Sequence, residues 1–233
     1  CLPLILCTYI NVVLLLVERF GNSKETMLVV DDISIRFGDE RVLDHFSCHV
    51  KKGDFACITG KSGCGKTSLL KAFIGLTPLV NGCIRVGEYS LNEQTCNIVR
   101  TKTMYLPQEL SFPNDTVEEL VGQTIKIGRL KNVHTYTYML HNNLHKLGLE
   151  SELLCKRIAE ISGGQRQRLM LAVLALLNKD IWLLDEPTAA LDETSRNYVI
   201  DFLREQQQRG KTIVAVSHDM YFVSHCNNVI NLE

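Results

Sequence analysis

The chain has 233 residues, which is long enough for one α/β domain with a sizeable core and a small inserted subdomain. Its formal net charge is −1 and it contains no basic block, which argues against nucleic acid as the main partner. The nine cysteines are scattered and include no Cys-x-x-Cys pair, a usage typical of reduced packing cysteines in the cytosol.

The chain opens with an apolar segment. Residues 2–17 carry no charge and are close to the lower limit of the about 17–25 residues that a membrane-spanning helix needs. No basic region precedes them, as a signal peptide would require, and the first residue is Cys1. We therefore predict a functional domain at 27–233, beginning at Met27. Residues 1–26 are then an apolar extension that is either extraneous, membrane-associated or packed as a helix on the domain surface.

Strand and helix patterns alternate along the predicted domain. Apolar or alternating runs bounded by turn residues predict strands at residues 28–37, 42–43 with 46–50, 55–59, 83–86, 103–106, 181–184, 212–216 and 229–232. Helical spacing is found at residues 68–74, 166–177, 194–209 and 220–224. Strands separated by helices in this way predict an α/β fold.

A polar, helical region separates the strands at 103–106 and 181–184. The pattern at 116–159 predicts an inserted helical subdomain, at about residues 110–178, and its first helix opens with a capping box at 116–119. Three histidines lie there at a spacing that would place them on one helix face: His134, His141 and His145. A metal site is conceivable, but a solvated helix face is the preferred interpretation, because no acidic or cysteine ligand lies at matching spacing.

Residues 60–67 match the phosphate-binding pattern G-x-x-x-x-G-K-[ST], between an apolar strand and a helix. Glycines let the backbone wrap around phosphate oxygens, and the helix N-terminus favours an anion. Lys66 can reach the β- and γ-phosphates, and the Thr67 hydroxyl can bind Mg²⁺. We expect Cys64 to be a small filler residue rather than a nucleophile. The residues predicted to bind nucleotide here are Gly60, Lys61, Ser62, Gly63, Cys64, Gly65, Lys66, Thr67 and Ser68.

The apolar strand at 181–184 ends in two carboxylates. Asp185 and Glu186 lie at the carboxyl end of a predicted central strand, where open α/β sheets bind ligands. Asp185 suits Mg²⁺, directly or through water, and Glu186 suits polarising an attacking water. On its own, such a pair would be better explained as an acidic cap on the helix that follows.

Two further features favour nucleotide binding. The sequence Ser162-Gly163-Gly164-Gln165 precedes an apolar helix and forms a second helix entrance suited to an anion. Phe37 ends the first predicted strand and could stack on a nucleotide base, although a core aromatic is an equal alternative for this residue taken alone.

Taken together, these motifs resemble the ATP-binding cassette (ABC) ATPases over residues 27–233. The matching motifs, in chain order, are the adenine-stacking aromatic at Phe37, Walker A at 60–67, the Q-loop at Gln108, the signature at 161–165, Walker B at 181–186, the D-loop at 190–192 and the switch histidine His218. The signature departs from the family pattern only in Ile161, which replaces leucine. The resemblance implies a P-loop NTPase fold with a mostly parallel central sheet, an N-terminal antiparallel portion and an inserted helical subdomain.

The resemblance also implies that two cassettes pair head to tail around two ATP molecules. Each ATP would be held by Walker A of one subunit and by the residues 162–165 of the other. Mg²⁺ would be organised by Thr67, Gln108 and Asp185. Glu186 would orient or deprotonate the water, His218 would contact the γ-phosphate, and Asp192 would shape the interface.

The ABC likeness implies an ATP-hydrolysing transporter subunit at the cytoplasmic face of the cell membrane. Its expected partners are a second cassette, in a homodimer, and an integral membrane permease; nucleic acid is not expected. Residues 155–160 lack the Val-Gly-Glu-Arg-Gly-like stretch of multidomain exporters, and the chain ends soon after His218. Both features resemble the short stand-alone cassettes that serve small bacterial permeases.

The main alternative is a non-transport ABC ATPase acting on a soluble complex. The DNA-repair and chromosome-structuring branches carry a coiled coil or zinc modules between Walker A and the signature, and residues 67–161 have neither. The translation-factor branch carries two cassettes, and this chain has one. A regulatory module that binds ATP without hydrolysing it is disfavoured, because Glu186 and His218 are both present.

Overall fold

The structure is a computed structural model that describes residues 26–110, 112, 115–128, 132–189 and 191–232. The predicted apolar extension lies outside the described residues, except for its last member, Thr26. Within the described ranges, no helix is both long and apolar enough to cross a membrane.

Nine strands and seven α-helices are described. The strands are β1 (Thr26–Phe37), β2 (Glu40–Lys51), β3 (Phe55–Thr59), β4 (Asn81–Val86), β5 (Tyr89–Ser90), β6 (Thr103–Leu106), β7 (Ile181–Asp185), β8 (Thr212–Val216) and β9 (Asn228–Asn231). The α-helices are α1 (Lys66–Ala72), α2 (Cys96–Lys102), α3 (Val117–Ile127), α4 (Val133–Lys146), α5 (Gly163–Ala175), α6 (Glu193–Gln208) and α7 (Met220–Val223). Short 3₁₀ segments lie at Ser151–Cys155 and Ile158–Glu160.

A five-stranded parallel sheet forms the centre of the fold, in the order β6-β7-β8-β3-β9. Alternate residues of its strands enter two different apolar clusters. In β7, Trp182 and Leu184 pack on one side of the sheet, while Ile181 and Leu183 pack on the other. Both faces are therefore buried, which explains why β3, β7 and β8 are short runs that are apolar except for one terminal residue each.

The second sheet is antiparallel and has four strands, in the order β2-β1-β4-β5. Its apolar residues, including Ile33 and Ile35 of β1, share a cluster with Leu69 and Leu70 of α1 and with one face of the parallel sheet. This packing fixes α1, and the loop that precedes it, at the carboxyl end of β3.

The helices α3, α4 and α5 pack against the opposite face of the parallel sheet. The capping box predicted at the start of α3 is present, with Thr116 Oγ1 accepting from the Glu119 N–H at 3.2 Å and Glu119 Oε2 accepting from the Thr116 N–H at 3.3 Å. The three histidines lie on α4, where His141 Nδ1 is 2.7 Å from Ser151 Oγ. No group of metal-ligating side chains occurs among the residues with described positions.

The predicted α/β fold, with its parallel main sheet, antiparallel N-terminal sheet and helical insert, is confirmed. Several boundaries differ from the prediction. The two pieces of the second predicted strand form one strand, β2, and α5 begins at Gly163, three residues earlier than expected, because the Ser162 cap starts the helix there. The sequence patterns did not predict α2 and β5. The division into residues 1–26, 27–233 and a helical subdomain at about 110–178 stays a prediction.

Candidate active site

The glycine-rich loop between β3 and α1 has a backbone that only glycine accommodates easily. Gly60, Gly63 and Gly65 have φ angles of +147°, +81° and +94°. A Cβ on Gly65 would lie 2.6 Å from Val42 Cγ1, and a Cβ on Gly60 would lie 2.7 Å from Cys64 Sγ. The loop is thus a narrow turn whose shape depends on the absence of side chains.

Lys66 begins α1 and its side chain folds back over the loop. Its ammonium group donates to the carbonyl oxygens of Gly60, at 3.0 Å, and Lys61, at 2.7 Å. The residue is only 6% exposed, so its charge is concentrated inside the turn. Cys64 is half-buried beside the apolar residues that the antiparallel sheet shares with α1. The seven cysteines of the described part are free thiols.

The loop meets the end of β7 through a direct hydrogen bond. The Thr67 hydroxyl donates to Asp185 Oδ1 at 3.1 Å. Asp185 is fully buried, and burial raises the pKa of its carboxyl, although the Thr67 hydrogen bond and the charges of Lys71 and Lys66 oppose the rise. Two oxygen atoms of the kind that hard cations prefer are therefore adjacent.

Glu186 has an unusual backbone conformation for a residue with a side chain. Its φ is +50°, and two contacts hold it: the Glu186 N–H donates to Val216 O at 3.0 Å, and Gln167 Nε2 donates to Glu186 O at 2.7 Å. Burial raises the pKa of the Glu186 carboxyl, while the nearby His218 lowers it. The Glu186 carboxyl is therefore a weaker acid than an unperturbed glutamate.

Glu186 and His218 face each other across the ends of β7 and β8. The His218 N–H donates to Glu186 Oε2 at 3.4 Å, and His218 Nε2 lies 3.3 Å from Glu186 Oε1. Oε1 is buried, and no hydrogen bond of acceptable geometry reaches it from the residues described. The Glu186 carboxylate and the His218 imidazole are therefore neighbours at the edge of the sheet where the glycine-rich loop also lies.

These groups line one cleft of about 790 Å³, at the carboxyl edge of the parallel sheet. Eleven of the predicted site residues contribute to it: Phe37, Ser62, Gly63, Gly65, Lys66, Thr67, Ser68, Gln108, Asp185, Glu186 and His218. Phe37 is 50% exposed and lines the cleft, so it is not a core aromatic.

The signature residues are absent from the described lining of this cleft. Ser162 caps α5, since its Oγ accepts from the Gln165 N–H at 3.2 Å while Gln165 Oε1 accepts from the Ser162 N–H at 3.0 Å. Ser162 and Gly163 are exposed to solvent, and Gly164 is half-exposed. The helix entrance at 162–165 is therefore capped and faces outward.

Asp192 is also exposed and caps α6. Its Oδ1 accepts from the Ser195 N–H at 2.8 Å, and Ser195 Oγ donates to its Oδ2 at 3.2 Å. The backbone hydrogen bond from Ser195 is the main reason that the pKa of this carboxyl lies below its usual value. Its predicted interface role stays a prediction, as do the roles of the other predicted site residues.

Three polar residues near this edge were not among those predicted from the sequence. Gln167 is buried on α5 and connects the signature helix to Glu186. Arg196 and Asp219 line the cleft and form an ion pair, with Arg196 Nη1 and Asp219 Oδ2 3.1 Å apart. Gln167 carried one signal in the sequence, because it is a glutamine at a core position of an apolar helix. The Arg196–Asp219 pair carried none, because its two residues lie 23 positions apart in the chain.

A parallel α/β sheet with a glycine-rich loop, a buried aspartate and a glutamate–histidine pair at one edge defines a P-loop nucleotide-binding protein. A family model described as "ABC transporter" matches residues 43–189. The chain belongs to this family. It is an ATP-binding subunit of an ABC transporter, an ATPase whose hydrolysis is coupled to transport.

Individual relatives agree with this assignment. The manganese transport system ATP-binding protein MntB of Bacillus subtilis is 32% identical over 197 residues, which are 82% of this chain and 76% of the relative. A putative ABC transporter ATP-binding protein of Treponema denticola is 29% identical over 89% of this chain, which spans only 44% of that protein's length.

Among solved structures, a dimeric ATP-binding cassette in a post-hydrolysis state, bound to ADP and Pi, superposes with a TM-score of 0.79 at 25% identity. The match covers 89% of this chain and 94% of that one. It establishes the cassette fold for the arrangement of two sheets described above.

Proposed function

We propose that two copies of this chain pair head to tail and hydrolyse two ATP molecules between them. The observation that carries the proposal is that the phosphate loop, Asp185, Glu186 and His218 line one cleft, while Ser162 and its neighbours offer an exposed helix entrance elsewhere. An anion site that faces outward can complete the cleft of a second copy. The dimeric arrangement of the cassette bound to ADP and Pi is consistent with this pairing.

In this proposal, the nucleotide lies along the loop, with its base against Phe37 and its phosphates at Lys66. Mg²⁺ fits the residues present, because Thr67 and Asp185 place two oxygen ligands 3.1 Å apart and Gln108 adds an amide oxygen to the same cleft. When bound there, Mg²⁺ would neutralise part of the phosphate charge.

Glu186 then acts as the general base, because its carboxylate lines the cleft beside His218. His218 contacts the γ-phosphate from the end of β8, and Asp192 shapes the dimer interface. Most of the catalysis consists of positioning and charge stabilisation. Closure of the dimer on ATP and its reopening after hydrolysis supply the mechanical output.

The remaining partner is an integral membrane permease, which would hold the chain at the cytoplasmic face of the membrane as a peripheral subunit. The support is that relatives such as the manganese transport protein are named as subunits of transport systems. Cargo differs among the relatives, which include zinc and phosphonate transport proteins. We therefore place substrate selection in the permease, not in this chain.

The direct test is Glu186→Gln, which keeps the shape of the side chain but removes its basicity. We expect hydrolysis to fall by about 10²–10³-fold, with ATP still bound. The variant should accumulate as a dimer in ATP, measured by light scattering. A variant that stays monomeric in ATP, or that hydrolyses ATP at the wild-type rate, would contradict the proposal.

Tagged Glu186→Gln protein tests the permease assignment. Detergent-solubilised membranes of the native host should yield a multi-helix permease when the variant is pulled down and its partners are identified by mass spectrometry. Recovery of soluble partners or ribosomes alone would instead support the non-transport alternative.

A further inference from the structure

A polar network connects the start of α6 to the turn that holds His218. Asp192 caps α6 through Ser195, and the next residue, Arg196, donates its N–H to Asp192 O at 2.9 Å. The Arg196 side chain then leaves the helix toward the 217–219 turn after β8. The residue that shapes the proposed dimer interface is thus one helical turn from Arg196.

Arg196 is held on two sides. Its guanidinium donates to Asp219 Oδ2 at 3.1 Å, and its Cζ lies 4.5 Å from the centre of the Tyr221 ring. Its side chain is only 25% exposed, and its Nε is buried and donates no hydrogen bond to any residue described. A planar, stacked guanidinium of this kind fixes its partner more rigidly than a lysine would.

Asp219 connects Arg196 to His218, because it follows His218 directly in the chain. Its Oδ1 accepts from the Tyr221 N–H at 2.9 Å and so caps α7, while its own N–H donates to Ser217 Oγ at 3.1 Å. The residues on both sides of His218 are therefore fixed. His218 itself is free of this network, and its only described polar contact is with Glu186.

We propose that Arg196 is a positioning residue for His218. It fixes the turn at Asp219, and it connects that turn to the helix that begins at Asp192. The inference rests on the proposed function, in which His218 acts on the γ-phosphate. Arg196 also lines the cleft, so it acts within the site and not through packing of the hydrophobic core.

The test uses three single variants and one double variant of the full chain. Arg196→Met removes the guanidinium, and Asp219→Asn removes the carboxylate charge while keeping a side chain that can still cap α7. Arg204→Met, at an exposed position of the same helix, is the matched control. Steady-state ATP hydrolysis and thermal unfolding are measured for each variant.

Arg196→Met and Asp219→Asn should each lower kcat by about tenfold to a hundredfold and leave the KM for ATP within about twofold, because a misplaced catalytic group slows the chemical step. The double variant should be no slower than the slower single variant, since both changes break one link. A kcat for Arg196→Met equal to that of Arg204→Met, or losses that multiply in the double variant, would overturn the inference.

A second measurement does not depend on hydrolysis. The imidazole NMR signals of His218, assigned by their loss in His218→Gln, should shift in Arg196→Met and Asp219→Asn but not in Arg204→Met. Unchanged His218 signals in Arg196→Met would overturn the positioning role even if kcat falls. A wild-type chain that hydrolyses no ATP would contradict the proposed function alone, because the NMR comparison still tests the positioning of His218.

Discussion

Lys66 illustrates how one residue can serve both the loop and its ligand. Its ammonium donates to two loop carbonyls, and phosphate oxygens would be stronger, charged acceptors in the same turn. We expect Lys66→Ala to lower ATP affinity by about tenfold to a hundredfold, measured by calorimetry. Lys52→Ala is the control, because Lys52 is an exposed lysine in the turn between β2 and β3, away from the cleft. Unchanged affinity in Lys66→Ala would refute the phosphate-binding role.

Asp185 is a buried carboxyl whose raised pKa predicts a dependence of stability on pH. A carboxyl whose pKa is raised by burial stabilises the folded state below the pKa of the unfolded chain, and this contribution is lost as the pH rises through the folded pKa. At neutral pH the buried charge is therefore unfavourable. Asn can still accept the Thr67 hydrogen bond but carries no charge.

We expect Asp185→Asn to raise the free energy of unfolding of the nucleotide-free protein at neutral pH by about 1–3 kcal/mol. Denaturant unfolding at several pH values should show the gain shrinking toward about pH 4. Asp192→Asn should show no such gain, because the pKa of Asp192 is lowered by its hydrogen bonds with Ser195. A loss of stability in Asp185→Asn at neutral pH would contradict the argument.

Two helices of the fold begin with matching caps and so allow a controlled comparison. In α3 and α5 alike, the cap oxygen accepts from the third residue of the helix at 3.2 Å: Thr116 from Glu119 and Ser162 from Gln165. The caps therefore make similar contributions to stability, but only Ser162 belongs to the proposed nucleotide site.

We expect Thr116→Ala and Ser162→Ala each to cost about 1 kcal/mol of stability and to lower the melting temperature by about 2–4 °C. In the Glu186→Gln background, only Ser162→Ala should also weaken the ATP-induced dimer, measured by light scattering. If both variants dimerised equally in ATP, Ser162 would not be needed for the ATP-induced dimer. That outcome would contradict the head-to-tail arrangement.

Elements with a clear apolar pattern were predicted accurately, and elements without one were missed or misplaced. The strands β6 and β8 were predicted with their observed bounds, because their apolar runs are bounded by polar or turn residues. The helix α2 is a short, mixed sequence with one buried residue, Val99, and has no apolar stripe to reveal it. The start of α5 was misplaced because the cap and its glycines precede the apolar pattern.

At the scale of the whole molecule, we expect the ATPase activity to depend on protein concentration. If each site needs the phosphate loop of one copy and Ser162 of another, the ATPase activity per chain should rise with protein concentration. The activity should reach a plateau where light scattering shows a dimer in ATP, since mass action then favours the paired form. Constant activity per chain at dilutions that leave only monomers would contradict the composite site.

The sequence by itself located the glycine-rich loop, both carboxylates and His218, because each lies at a strand or helix end that a local pattern marks. The buried strands were equally readable, since both faces of the parallel sheet are apolar. The tertiary structure decided what lies across the cleft: that Thr67 reaches Asp185, that Gln167 holds Glu186 at φ +50°, and that Arg196 meets Asp219. These contacts join distant segments, and a linear pattern carries no signal for a distance between them.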